Sequence, residues 1–296
     1  MNSEGYIQFS NFWPEFDEHN NFILEALAGQ EVFSPIEVTS VFAIPARSLL
    51  RELSSRMRPA PKNSYSAITP RRVWFTAENI RPPVGNNFDS FISFDQDTYG
   101  GVNFYFPQLY SDLLLKERQW TKRRGVDVDK NELLKSRQIP RTKNKFICAF
   151  ISNPEPVRMR AIDELSKYGE VDVYGPNFVN TPLSKYEIAR DYKFMLCFEN
   201  DLYPGYVTEK LLDAYMCETV PLYRGLFGQE EHVNQRALIN AANFDSLAGF
   251  GEYVGKLNEL DYEDIFREPL LKTLPTLDPL ITALTGKLSR AVEIIS

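Results

Sequence analysis

Lys145-Phe-Ile-Cys-Ala-Phe-Ile151-Ser-Asn-Pro-Glu-Pro156 opens with a continuous apolar run and closes with a loop and helix-start signal. The run is short, rich in β-formers and bounded by turn residues, which is the pattern of a strand buried on both faces. Val157–Tyr168 follows as a helix stopped by Gly169, and Val171-Asp-Val-Tyr174 as the next strand. The alternation then repeats: strand Phe194–Phe198, loop Glu199–Gly205, a helix from Thr208 to Cys217, and strand Val220–Tyr223. Buried strands alternating with short helices build βαβ units around a parallel sheet. In such a sheet ligands bind outside the carboxyl ends of the strands. The loops 152–156 and 199–205 both lie at that edge.

Working outward, the first half reads as a second set of short strands. Tyr6–Phe9, Val73-Trp74-Phe75, Phe88–Phe94 and Val102–Phe106 carry β-branched and aromatic residues, and Asn21–Ala28 is helical. Val73-Trp-Phe75 runs straight into Thr76-Ala-Glu-Asn79. The polar stretch Arg137–Asn144, with Pro140, is the expected boundary. Residues 1–140 then form one domain, 141–275 a second, and 276–296 a C-terminal helix. On that helix Leu280, Ile281, Leu284, Leu288, Val292 and Ile295 make an apolar stripe that docks on the protein.

Length and composition bound the function. The chain has 296 residues, is 43% hydrophobic and 25% charged, and carries a net charge of −7. That suits a globular protein with a sizeable core and argues against a dedicated nucleic-acid binder. Charge is unevenly spread. No Lys or Arg precedes Arg47, whereas Lys116 to Lys145 holds eleven basic residues against Glu117, Asp127, Asp129 and Glu132. That segment is either a solvated surface or an electropositive wall for an anionic ligand. A basic n-region is missing and no apolar run approaches a membrane span. Cys148, Cys197 and Cys217 lie in apolar surroundings without metal spacing, which reads as reduced thiols in a cytoplasmic protein.

Two cations stand out. Lys210 falls in the first turn of its helix, where the macrodipole disfavours it. It either serves an anion bound at that helix start or simply reaches solvent, Glu209 or Asp213. Arg158 shares a helix face with Ile162 and Leu165, whereas Arg160 points roughly the opposite way. A guanidinium on an apolar face needs an anionic partner, either a diphosphate or a structural carboxylate. Two cations at two sheet-edge loops suit a leaving group that gains negative charge, with no metal involved. Glu78 either faces a cleft, where it takes a proton from an attacking hydroxyl, or is a turn residue. Asp95-Gln-Asp97 and Asp127-Val-Asp129 are the D-x-D pairs present, and neither follows a strand of the βαβ region.

The segment Tyr192-Lys-Phe-Met-Leu-Cys-Phe-Glu-Asn200, then Gly205-Tyr-Val-Thr-Glu-Lys-Leu-Leu-Asp-Ala-Tyr215, then Val220-Pro-Leu-Tyr-Arg-Gly225 resembles the signature of the α-1,3/1,4-fucosyltransferases of glycosyltransferase family 10. Arg158-Met-Arg-Ala-Ile-Asp-Glu-Leu165 with Val171-Asp-Val-Tyr-Gly175 is similar to the family's upstream donor motif, and Phe75-Thr-Ala-Glu-Asn79 to its acceptor-domain segment. The resemblance implies a GT-B fold: two Rossmann-like α/β domains with parallel sheets facing a cleft, acceptor domain first. It implies inverting, metal-independent transfer of L-fucose from GDP-β-L-fucose to a glycan hydroxyl, with N-acetylglucosamine and an α-1,3 linkage expected. By family matching Glu78 is the general base, Arg158 and Lys210 bind the diphosphate, and Tyr206, Glu209 and Asn200 belong to the donor site. Glu209 would meet a sugar hydroxyl, and Glu199 matches the motif without a defined role. Departures are Asp201-Leu-Tyr-Pro204, where relatives commonly start with Ser, and Arg224, where an aromatic or aliphatic residue is frequent. The rival readings are a GT-B transferase for another nucleotide sugar and a non-catalytic glycan- or nucleotide-binding protein.

Overall fold

The computed structural model describes residues 7–13, 16–32, 34–41, 69–76, 78–114, 129–138, 143–181, 183–228 and 232–286. It divides into two compact units, Met1–Gln108 with Thr276–Ser296, and Leu109–Pro275.

The first unit is built on strands β1 (Ile7–Ser10), β2 (Ile36–Val41), β3 (Arg71–Thr76), β4 (Ser90–Ser93) and β5 (Asn103–Tyr105). They pair in parallel and in sequential order. Helix α1 (Phe22–Leu27) is capped by Asn21, whose side chain accepts from the Ile23 and Leu24 amides. Val73, Trp74 and Phe75 of β3 are completely buried, as expected for the middle strand of a sheet covered on both faces.

The second unit begins with helix α2 (Gln108–Leu113) and carries strands β6 (Lys145–Phe150), β7 (Val171–Tyr174), β8 (Tyr192–Phe198), β9 (Val220–Arg224) and β10 (Ile239–Asn240). Helices α3 (Pro156–Leu165), α4 (Lys185–Ala189), α5 (Glu209–Met216), α6 (Leu247–Lys256) and α7 (Glu259–Arg267) connect and cover them. The strand order is β10-β9-β8-β6-β7, all parallel. The chain leaves β6 toward β7 on one side and returns to β8 on the other. The sheet therefore has a topological switch point between β6 and β8, the place where an open α/β sheet forms its ligand crevice. Ile147, Ala149, Phe194, Leu196, Val220 and Leu222 face Ala161, Leu165, Phe250 and Val254 in the main core.

The division falls before the expected boundary at 140/141, for local reasons. Leu109 N–H donates to the Val207 carbonyl, and Leu271 N–H to that of Leu133. Arg137 inserts its guanidinium between the rings of Tyr215 and Phe266, at 3.8 and 3.9 Å from their centroids. It donates to the carbonyls of Phe266, Tyr215 and Thr219. The segment 129–138 is thus stitched into the second unit. Helix α8 (Asp278–Thr285) returns to the first unit, where the Arg71 Nε–H and the Ser90 hydroxyl both donate to the Ala283 carbonyl. Leu280 and Leu284 of the expected stripe are buried there, and the helix ends at Gly286, at φ 69°. That left-handed cap stops α8 short of the length the stripe suggested. Leu288, Val292 and Ile295 lie outside the described residues.

Of the basic segment, residues 116–128 and 139–142 lie outside the described residues. Arg137 is clamped as above, Lys143 donates from a buried position to the Arg190 carbonyl, and Lys145 pairs with Asp172 at 2.9 Å. Lys143 is thus buried and Arg137 clamped, whereas the Lys135 and Lys145 side chains stay 63% and 48% exposed. Among the described residues no helix is long and apolar enough to cross a membrane. The three cysteines are buried and free.

Candidate active site

At the carboxyl edge of the second sheet the chain leaves β6 through Ser152–Glu155 and turns into α3 at Pro156, placed at the helix start where its missing N–H costs nothing. Arg158 therefore sits in the first turn on the buried face and is 7% exposed, whereas Arg160 is exposed. The expected opposition of the two arginines is thus observed. A carboxylate, one of the two partners open for Arg158, does not pair with it among the described residues. Its guanidinium donates to the carbonyls of Asn153 (2.9 Å) and Phe198 (3.1 Å) and to the Asn200 side-chain oxygen. Neutral oxygens from the ends of β6 and β8 orient the group while leaving its charge uncancelled.

Lys210 reaches the same point from the other side of the switch. Thr208 caps α5, accepting from the Lys210 N–H. The Lys210 ammonium lies 3.0 Å from a Glu199 carboxylate oxygen and 3.4 Å from Asn200 Oδ1. Neither Glu209 nor Asp213 is that partner, and Asp213 pairs with Lys185 at 3.2 Å. Asn200 Oδ1 thus receives Arg158 and Lys210 together, over legs of 2.5 and 3.4 Å, which leaves the two cationic nitrogens no more than about 6 Å apart. Two cations sharing one neutral acceptor form a ready site for a diphosphate.

Glu199 ends β8 fully buried. Burial pushes its carboxyl above the usual range, and Lys210 and the Thr208 N–H work against that shift. Tyr223, buried in β9, donates to the same carboxylate at 3.1 Å, and burial with that neighbour raises its phenol. Among the other expected donor residues, Tyr206 is 3% exposed and follows Gly205, at φ 88°. Glu209 is half-buried at the start of α5. Arg224, half-buried at the end of β9, has its guanidinium pKa lowered by burial, with Asp201 opposing and Arg160 adding to that shift. The two departures from the family pattern, Asp201 and Arg224, are thus electrostatic neighbours.

Glu78 lies in the first unit, two residues beyond β3 and at the carboxyl edge of that parallel sheet. The buried Thr76 hydroxyl donates to the carbonyls of Glu78 (2.7 Å) and Ile80 (2.9 Å), which fixes the turn that carries the half-buried Glu78. The Asp95–Asp97 pair is engaged locally. Asp95 accepts from the Asp97 N–H and the Tyr99 hydroxyl, and Asp97 accepts from the Tyr99 N–H. Asp129 caps a short 3-10 helix at Lys130–Leu134, and Asp127 lies outside the described residues. No group of three or more metal-ligating side chains occurs among the described residues.

Residues 140–267 match the family described as "Glycosyltransferase family 10 (fucosyltransferase) C-term". That match covers less than half of the chain and takes in Arg158, Asn200 and Lys210. The chain is 27% identical over 304 residues to Alpha-(1,3)-fucosyltransferase FucT of Helicobacter pylori, covering 90% of the chain and 60% of that relative. It is 31% identical over 124 residues to 4-galactosyl-N-acetylglucosaminide 3-alpha-L-fucosyltransferase 9 of Mus musculus, covering 40% of the chain and 34% of the relative. The chain therefore spans three fifths or less of the length of these relatives. A crystal structure of an alpha1,3-fucosyltransferase superposes with a TM-score of 0.63 at 24% identity, covering 90% of this chain and 82% of the other. One of an alpha1,3-fucosyltransferase with GDP-fucose gives 0.58 at 23%, with the same coverage. These likenesses speak for the fold, which is GT-B.

The sequence left Glu199 without a role and passed over Tyr223. A signal was present in each case. An acid ending a buried strand and a Lys opening the next helix are separate anomalies that cancel when they meet.

Proposed function

We propose that this protein is a member of glycosyltransferase family 10 that transfers L-fucose from GDP-β-L-fucose to a hydroxyl of a glycan, with inversion and without a metal. The observation that carries the reading is the convergence of Arg158 and Lys210 on Asn200 at the switch point of the second sheet. In this reading the acceptor oxygen attacks the anomeric carbon of fucose, and the bond from that carbon to the GDP oxygen breaks with its electron pair. Arg158 and Lys210 stabilise the charge that grows on the departing diphosphate. Glu78 receives the acceptor proton. Asn200 holds the two cations in register, and Glu209 and Tyr206 line the donor side. N-acetylglucosamine and an α-1,3 linkage are the proposed acceptor and product, and a reducing cytoplasm the proposed setting for the three free thiols.

The deciding experiment offers a panel of nucleotide sugars with glycan acceptors, in excess chelator, and reads the product linkage by NMR. Transfer from GDP-fucose alone is expected, undiminished by chelation. Preference for another nucleotide sugar, or loss of turnover restored by Mn²⁺, would overturn the donor and the mechanism respectively.

A further inference from the structure

Glu199 takes no direct part in this chemistry, because its carboxylate is fully buried and so screened from a sugar or nucleotide. Its two oxygens are nevertheless surrounded by donors. One accepts from the Thr208 N–H at 2.8 Å and the Tyr223 hydroxyl at 3.1 Å. The other accepts from the Thr208 hydroxyl at 2.8 Å and the Lys210 ammonium at 3.0 Å. A single side chain thereby ties the end of β8 to the cap of α5 and to β9. We propose that Glu199 is the positioning residue of the donor site, fixing the Lys210 ammonium beside Asn200 so that both cations stand in place before a diphosphate arrives. This rests on the nucleotide-sugar reading and adds to it the group that sets the cation geometry.

Three considerations support the assignment. A buried carboxylate is costly unless fully paired, and this one has a hydrogen-bond shell drawn from three residues, at the start of α5 and on β9. Lys210 stands where the helix dipole repels a cation, and an anion placed at the start of α5 offsets that repulsion. A free lysine side chain also loses much rotamer entropy on gripping a ligand. Anchoring it beforehand removes that cost from binding. The exposures fit an ammonium held from behind and open in front, since the Lys210 side chain is 26% exposed and that of Glu199 is 0%.

Charge alone predicts the opposite sign for the test. Glu199 is an anion close to where another anion binds, so by simple electrostatics Glu199→Gln should tighten GDP. Positioning requires it to weaken GDP. Isothermal titration of GDP against the parent, Glu199→Gln and Tyr223→Phe, with thermal melts of each, separates the two. Glu199→Gln is expected to weaken GDP at least about tenfold, the scale of a lost charge-assisted contact. Tyr223→Phe removes one donor to the carboxylate and is expected to weaken GDP by about two- to fivefold. It should add nothing once residue 199 is Gln. Parental or tighter GDP binding by a folded Glu199→Gln protein would overturn the inference. If that variant fails to fold, parental affinity in Tyr223→Phe overturns it instead. A parent protein that binds no GDP overturns the donor reading itself, an outcome visible before any variant is made.

Discussion

Lys210 shows how little a single residue's surroundings can be guessed from its neighbours in sequence. Its place in the first turn of α5 was legible as an anomaly, and the candidates for partner were Glu209 and Asp213. The partner is Glu199, eleven positions back on another element, because β8 ends beside the start of α5. The pair has a consequence for stability. Lys210 is the main influence holding down a carboxyl that burial raises. Folded Glu199 keeps its proton to a higher pH than the unfolded chain even beside Lys210. Losing Lys210 widens that gap, so more stability is lost as pH rises through the window. Lys210→Ala should therefore melt closer to the parent at pH 5 than at pH 8. Equal deficits at both pH values, followed by circular dichroism, would remove the coupling. Arg158 and Arg160 make the second residue-scale case. Helical spacing placed them on opposite faces, and the structure buries the first and exposes the second. Arg158→Ala should lower kcat for fucose transfer at least about 100-fold, as expected when a contact to developing charge is lost. Arg160→Ala should stay within about threefold of the parent, the scale of an exposed charge. Steady-state kinetics showing comparable losses would mean that both side chains serve the donor.

Elements were legible in proportion to how uniformly they are buried. β6, β8 and β9 are apolar on both faces, so the pattern gave them to within two residues at either end. β2 escaped because Glu37, Thr39 and Ser40 interrupt its apolar residues, and β10 has only two residues. Helix α4 spans five residues, and its signal was a capping box, Ser184 with Glu187, rather than a periodic face. The C-terminal stripe misled in the other direction: apolar spacing says nothing about Gly286, whose left-handed backbone ends α8. Arg137 was read as part of a basic segment because its role depends on contacts with residues far along the chain. It binds the Tyr215 and Thr219 carbonyls, at the end of α5 and after it, where the helix dipole favours a cation, while stacking between two rings. Arg137→Ala should destabilise the protein by about 3–4 kcal/mol, from several charge-assisted bonds and two cation–π contacts. Arg137→Lys should recover less than half of that, because an ammonium cannot reproduce the planar fork. Denaturant unfolding of both variants measures the loss, and a change below about 1 kcal/mol would place the stitching of 129–138 elsewhere.

At the scale of the whole molecule, the second parallel sheet was legible from alternating strands and helices, the first only through the family resemblance, and the strand orders not at all. Order depends on which side each crossover takes, and periodicity is silent on that. The second sheet reverses direction beside β6, and its carboxyl edge carries Arg158, Asn200, Glu199 and Lys210. The first sheet keeps sequential order and carries Glu78 on a turn pinned by Thr76. Because the proposed base and the proposed diphosphate cations belong to different units, the two tasks should separate cleanly on substitution. Gln at position 78 keeps the shape of Glu and its hydrogen bonding but cannot accept a proton at neutral pH. Glu78→Gln should therefore bind GDP as tightly as the parent while transferring fucose at least about 100-fold more slowly, the scale of losing a general base. Lys210→Ala should weaken GDP binding and slow transfer together, because its ammonium serves the diphosphate in both the bound and the transition state. Titration of GDP beside a transfer assay on the two variants distinguishes the tasks. Near-parental transfer by Glu78→Gln would move the base to another residue, and a matching loss of GDP affinity would mean that Glu78 serves the donor rather than the acceptor.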